Sequence, residues 1–207
     1  MTSSSASATS SAREAEQSVT NRLGLWVFLA TEVLFFGGMF VAYVIYRHTY
    51  PEAFRAGARL MEFGLGTTNT AVLLVSSFFM ALGDRAARAG DRRQLRRCLL
   101  CVATLGVVFL GIKAVEYHSK FADHLVPGPD FSGTRGPLEI FMTLYFAMTG
   151  LHALHMLFGL GAISWLLWRN AGGRPVPVEP VAMVGLYWHF VDCVWIFLYP
   201  LFYLPGR

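Results

Sequence analysis

Five long apolar runs, separated by short connections that carry most of the arginines, constrain this chain more than anything else in it. They occupy about residues 23–46, 65–83, 98–118, 138–168 and 181–204. A hydrocarbon layer needs roughly 20 apolar residues per spanning helix, and it offers no water to satisfy backbone N–H and C=O groups. Runs of this length therefore have to be helices. The fourth is long enough to tilt or to project from the membrane. Pro200 is expected to kink or end the fifth. No internal repeat and no alternating strand pattern competes with these lengths. The prediction is an all-α integral membrane bundle of five transmembrane helices over residues 22–207. Residues 1–21, rich in Ser, Ala and Thr and without an apolar core, are expected to be a disordered tail and not a signal peptide.

Composition agrees and narrows the function classes. With 55% hydrophobic and 14% charged residues, the chain falls well short of the roughly 25% charged residues of soluble proteins. No stretch is left for a second, soluble domain. A net charge of +4 could suggest nucleic acid, but the basic residues sit between apolar runs, where topology and lipid headgroups account for them. No nucleic-acid partner is expected. The tail and the second and fourth connections hold ten Lys and Arg against six on the other side, with six arginines between residues 85 and 97. By the positive-inside bias the N-terminus lies in the cytoplasm and the C-terminus outside. Cys98 and Cys101 are spaced CxxC, but with only Cys193 besides they make no disulfide framework or zinc set, and read as small buried hydrophobes.

The informative residues are the ionisable ones inside the runs, because a charge at mid-membrane costs a few kcal/mol unless it is neutralised or paired. Glu32 lies about 13 Å along the first run at 1.5 Å per residue. Its i±3 and i±4 neighbours are Phe28, Leu29, Phe35 and Phe36, so it is expected to be protonated or bonded to a neighbouring helix. It could hold a proton, hydrogen-bond a bound lipid, or anchor two helices. Lys113 and Glu116, at i and i+3, can neutralise each other and are placed near the outer interface. His152 and His155 are one turn apart in the fourth run. His189 and Asp192 share a face of the fifth with Trp188 and Trp195, which predicts a polar cluster between these two helices. Histidines on separate helices could ligate haem. His152 and His155 lie on one helix, however, and hydrogen bonds to Thr149, Asp192, Glu32 or lipid are the reading preferred over metal ligation. No P-loop or paired carboxylates indicate other catalytic chemistry.

The stretch Tyr187-Trp188-His189-Phe190-Val191-Asp192-Cys193-Val194-Trp195 resembles the closing signature YWHFVDxVW of subunit III of the haem-copper (cytochrome c) oxidases. Supporting it are Thr31-Glu32-Val33-Leu34-Phe35-Phe36, Asn69-Thr70, Ser76-Ser77, Glu116-Tyr117 and Thr149-Gly150-Leu151-His152-Ala153-Leu154-His155, the last running on to Gly159. The motifs follow family order from about residue 22 to 204. Against the mitochondrial form the chain lacks two N-terminal helices, as short bacterial members do, and carries Lys113 where that pattern has glutamine.

The resemblance implies a metal-free, non-catalytic subunit in a bacterial inner membrane, with haems and copper held by partner subunits. It implies packing against catalytic subunit I, bound phospholipid, and support of proton uptake into that subunit. Glu32 corresponds to the family's carbodiimide-reactive buried carboxyl. Other readings are the third subunit of a quinol oxidase or the nitric-oxide-reductase-associated homologue. A small haem-binding, quinol-reactive protein using the three histidines, and a transporter gated at Glu32, come from different classes. The missing repeat argues against the transporter.

Overall fold

Each apolar run is helical in the computed structural model, which describes residues 2–129, 131, 136–171 and 177–206, with side chains from residue 16 onward except 18. Arg135, Arg174, Arg207 and the side chain of Arg13, all counted for the orientation, lie outside the described residues. Six helices are described: α1 (Thr2–Thr49), α2 (Pro51–Arg59), α3 (Phe63–Arg88), α4 (Arg92–Ala122), α5 (Pro137–Ala171) and α6 (Val178–Tyr203). Five of them are long and apolar enough to span a membrane, from Val19–Thr49 in α1 through α3, α4, α5 and α6.

The helices run beyond the apolar runs because Arg, Glu, Gln and Ala propagate a helix once it is nucleated. The same reason applies at the N-terminus. Helical backbone begins at Thr2, within the segment expected to be disordered; no Pro or Gly interrupts it before Gly24. Pro200 likewise does not end α6, which continues to Tyr203.

The chain divides into two compact units, residues 1–35 and 36–207. The first is the N-terminal part of α1. In the second, α3 packs on α4 and α6, α5 packs on α4 and α6, and α2 rests on α5. The α3/α4 turn shows why those two are antiparallel neighbours. Gly90 takes a left-handed φ of 73°, Asp91 N–H donates to Ala86 O at 3.0 Å, and Asp91 Oδ1 caps α4 by accepting from Gln94 N–H at 2.9 Å. The short helix α2 was not expected. Pro51 opens it, and Phe54, Gly57 and Ala58 form its buried side.

Close helix approach depends on glycine. A Cβ on Gly106 would meet Leu160 Cδ2 and Trp188 Cη2, each at 2.9 Å, and one on Gly159 would meet the same indole at 2.9 Å. The Trp188 ring therefore lies against the backbones of α4 and α5. Overpacking of this kind costs about 1–3 kcal/mol. Gly159→Val should lower the thermal unfolding temperature of the purified protein in detergent, whereas Gly111→Ala, with nothing within 4 Å of its Cβ, should not lower it, since Ala is the better helix former.

Candidate functional site

The bundle of residues 36–207 has a charged centre. Lys113 Nζ donates to Glu116 Oε2 at 2.9 Å, to Tyr145 Oη at 2.9 Å and to Tyr203 Oη at 3.2 Å, which uses all three ammonium protons. Tyr203 O–H in turn donates to the two carboxylate oxygens of Glu116 at 2.7 and 2.9 Å. The rings of Tyr145, Tyr117, Trp195 and Tyr203 surround the ammonium with centroids 4.8 to 5.9 Å away, within cation–π range. Lys113 is 4% exposed and Glu116 0%.

The expected mutual neutralisation is present, and the pair is buried within the bundle. Because α4 continues to Ala122, Lys113 lies about 13 Å inside its end, and α5 and α6 close over it. Tyr117 Oη, 2.6 Å from Thr149 Oγ1, extends the network. One turn further on, Lys120 Nζ donates to the carbonyl of Leu60 beyond α2 at 2.5 Å.

The residues of the fifth apolar run behave differently from the expectation of one cluster facing α5. Trp188 Nε1 donates to Ser76 Oγ at 3.1 Å, Trp195 Nε1 donates to Thr70 Oγ1 at 3.1 Å, and His189 Nδ1 lies 2.7 Å from Ser77 Oγ. With Thr67 and Tyr199 hydroxyls 2.8 Å apart, these form a ladder of side-chain hydrogen bonds along antiparallel α3 and α6. Asp192, 4% exposed, lies beside Ser77 without reaching hydrogen-bond geometry.

On α5, His152 is held edge-on to Phe109 and tilted against Trp195, with centroids 5.5 and 5.3 Å away. Its two nitrogens have no hydrogen-bond partner among the described residues. His155 Nδ1 lies 2.8 Å from Leu151 O, and its ring meets Phe36. Thr149 bonds Tyr117 and its own helix, not a histidine. The buried amide of Asn69 also has no partner among the described residues. The three histidines are thus brought to different neighbours, and no group of three or more potential metal ligands occurs among the described residues. Glu32 belongs to the unit of residues 1–35.

Residues 5–207 match the family model for cytochrome c oxidase subunit III. The chain belongs to the cytochrome c oxidase subunit III family. A cytochrome c oxidase subunit 3 of Thermostichus vulcanus is 36% identical over 188 residues, covering 89% of this chain and 87% of that protein. One from Synechocystis sp. is 35% identical over 186 residues, covering 87% and 74%. A probable quinol oxidase subunit 3 of Staphylococcus haemolyticus is 28% identical over 188 residues, covering 90% and 89%.

Within this subunit III fold the sequence reading missed Tyr145, Tyr203, Tyr117 and Trp195 as the cage of Lys113. The available signal was a lysine in an apolar run with Tyr117 one turn further on. Breaking a buried ion pair by removing one partner costs about 3–5 kcal/mol, while replacing both by well-packed apolar groups can be neutral. Lys113→Met should therefore destabilise the purified protein strongly, and adding Glu116→Leu should recover much of the loss. Denaturation in detergent checks this; equal stability of the single variant and the parent would contradict it.

Proposed function

We propose that this chain serves as the accessory third subunit of a proton-pumping haem-copper terminal oxidase in a bacterial inner membrane. It packs against catalytic subunit I, binds phospholipid and sustains proton uptake by that subunit, and it carries no redox centre itself. The supporting observation is the chain-long match to subunit III, residues 5–207, including the run from Tyr187 to Trp195. The N-terminus is assigned to the cytoplasm and the C-terminus to the outside by the arginine distribution.

Glu32, His152, His155, His189 and Asp192 are assigned to lipid or proton handling. Lys113 and Glu116, assigned to the outer interface, tie α4 to α5 and α6, and Asn69, Trp188 and Trp195 belong to the framework of the bundle. Burial supports the assignment of Asp192 and His152: a polar side chain kept in an apolar bundle without a hydrogen-bond partner among the described residues costs stability that packing alone does not require. The likeness to the Staphylococcus haemolyticus protein keeps a quinol oxidase as the second reading. Reduction kinetics of the purified complex with cytochrome c and with quinol separate the two.

Deleting the subunit should leave the haem spectra of the complex nearly intact while activity decays during turnover; loss of the haems would refute the accessory role. Glu32→Gln should preserve assembly, since a neutral hydrogen-bonding isostere suits a protonated or bonded acid. Glu32→Lys should reduce the amount of subunit that copurifies with the oxidase. Normal assembly of the Lys variant would place the residue in a wet site or channel.

A further inference from the structure

Helix α2 lies at the end of the bundle where α4 and α6 finish and α5 begins. Phe54 of α2 packs edge-on to Phe141 near the start of α5, with centroids 5.3 Å apart. A Cβ on Gly57 would lie 2.3 Å from the Phe141 ring, and one on Gly206, just past α6, would lie 2.7 Å from Arg59 N. From the end of α4, Lys120 donates to Leu60 O, at the C-terminal cap of α2. Three elements of the bundle thus hold this one short helix.

Beneath α2 lies a closed layer of rings. Tyr43 meets Phe54 and Phe202, each at 5.2 Å, and Phe141 meets Phe54 at 5.3 Å and Phe202 at 5.7 Å. All four are 0% exposed. Phe202 next meets Tyr145 at 5.4 Å, whose hydroxyl accepts from Lys113. One layer of rings therefore separates α2 from the Lys113–Glu116 pair. Along α4 the route is polar instead: Lys113, Glu116 and Lys120 are all buried, and spacings of three and four residues keep them on one face.

Lys120 is the residue that needs an explanation. A helix of nine residues is too short to persist alone, and at an open end water would cap its last carbonyls. Here a lysine that is 3% exposed does so, and it forms no ion pair among the described residues. Burying an ammonium costs several kcal/mol, so a lysine at this place makes sense if α2 has to stay down. We propose that α2 is a lid, latched by Lys120, which closes this end of the bundle against water and keeps the Lys113–Glu116 pair dry. The attraction within that pair falls manyfold as water enters. The proposal does not rest on the oxidase reading, because the subunit alone is enough to test it.

The test is the rate at which a charged, membrane-impermeant methanethiosulfonate labels single cysteines in the full chain, held in lipid nanodiscs with both ends accessible. Cys101 and Cys193 are replaced by Ala. Reporter cysteines are placed at Ala58, on the buried side of α2, and at Thr149, whose hydroxyl bonds Tyr117 beside the pair. Native Cys98, buried near the start of α4, reports on the opposite end. In the parent both reporters should react at least about tenfold more slowly than a cysteine replacing exposed Glu52, the protection expected of a closed segment. Lys120→Met should speed both by about tenfold or more, as for one lost hydrogen bond to a charged group, and leave Cys98 unchanged. Fast labelling of either reporter in the parent would overturn the proposal, and so would unchanged rates in Lys120→Met. Acceleration at residue 58 alone would mean that α2 lifts without sealing anything, and equal acceleration at Cys98 would mean general loosening; each refutes the lid. If Lys120→Met fails to insert, Gly57→Leu, which drives a side chain into the Phe141 ring, is read by the same rates and the same criteria.

Discussion

The hydrocarbon core of a membrane accepts no hydrogen bonds, and that constraint organises the polar chemistry of this subunit. Helices satisfy their own backbones, so what has to be settled between helices is the side chains. Along α3 and α6 it is settled by indole, imidazole and phenol groups of one helix meeting hydroxyls of the other. Each contact is worth little singly, on the order of 1 kcal/mol in membrane bundles, but their order along the two helices sets one register. A shift by a single residue would strand both indole N–H groups.

The Lys113–Glu116 pair follows the same logic at higher stakes. An ammonium and a carboxylate in this setting are tolerable only because three donors, two carboxylate oxygens and four rings are arranged around them. The two tyrosines bonded to Lys113 come from α5 and α6, so the pair, both of whose members lie on α4, ties three helices together. Tyr43 adds a further tie from α1, donating its hydroxyl to the carbonyl of Leu201 in the last turn of α6, where helix ends leave carbonyls without partners.

The apolar runs and family motifs were legible because they are local: length, composition and short spacing suffice. The apolar runs fall on the five long helices α1 and α3 to α6, and Lys113 and Glu116 were read as a pair because i and i+3 is a helical neighbourhood. Partners from distant segments were not legible. Nothing in the spacing of His189 says that it meets Ser77, 112 positions away, or that the indole N–H groups of Trp188 and Trp195 bond α3 while their rings pack on α5. Helix α2 escaped because nine residues between two long apolar runs carry too little periodicity to stand out.

The signature from Tyr187 to Trp195 now divides into residues that the fold explains and one that it does not. Trp188, His189 and Trp195 are bonded to α3, and Tyr187 O–H donates to His155 O on α5 at 3.0 Å. Their identity follows from holding α6 in place, so much of what makes the family recognisable is a record of packing. Asp192 is different. It is buried, yet the Ser77 hydroxyl beside it is engaged by His189. A leucine would pack there without leaving two carboxylate oxygens unbonded. Packing therefore accounts for the tryptophans and leaves the aspartate to be explained by what the subunit does.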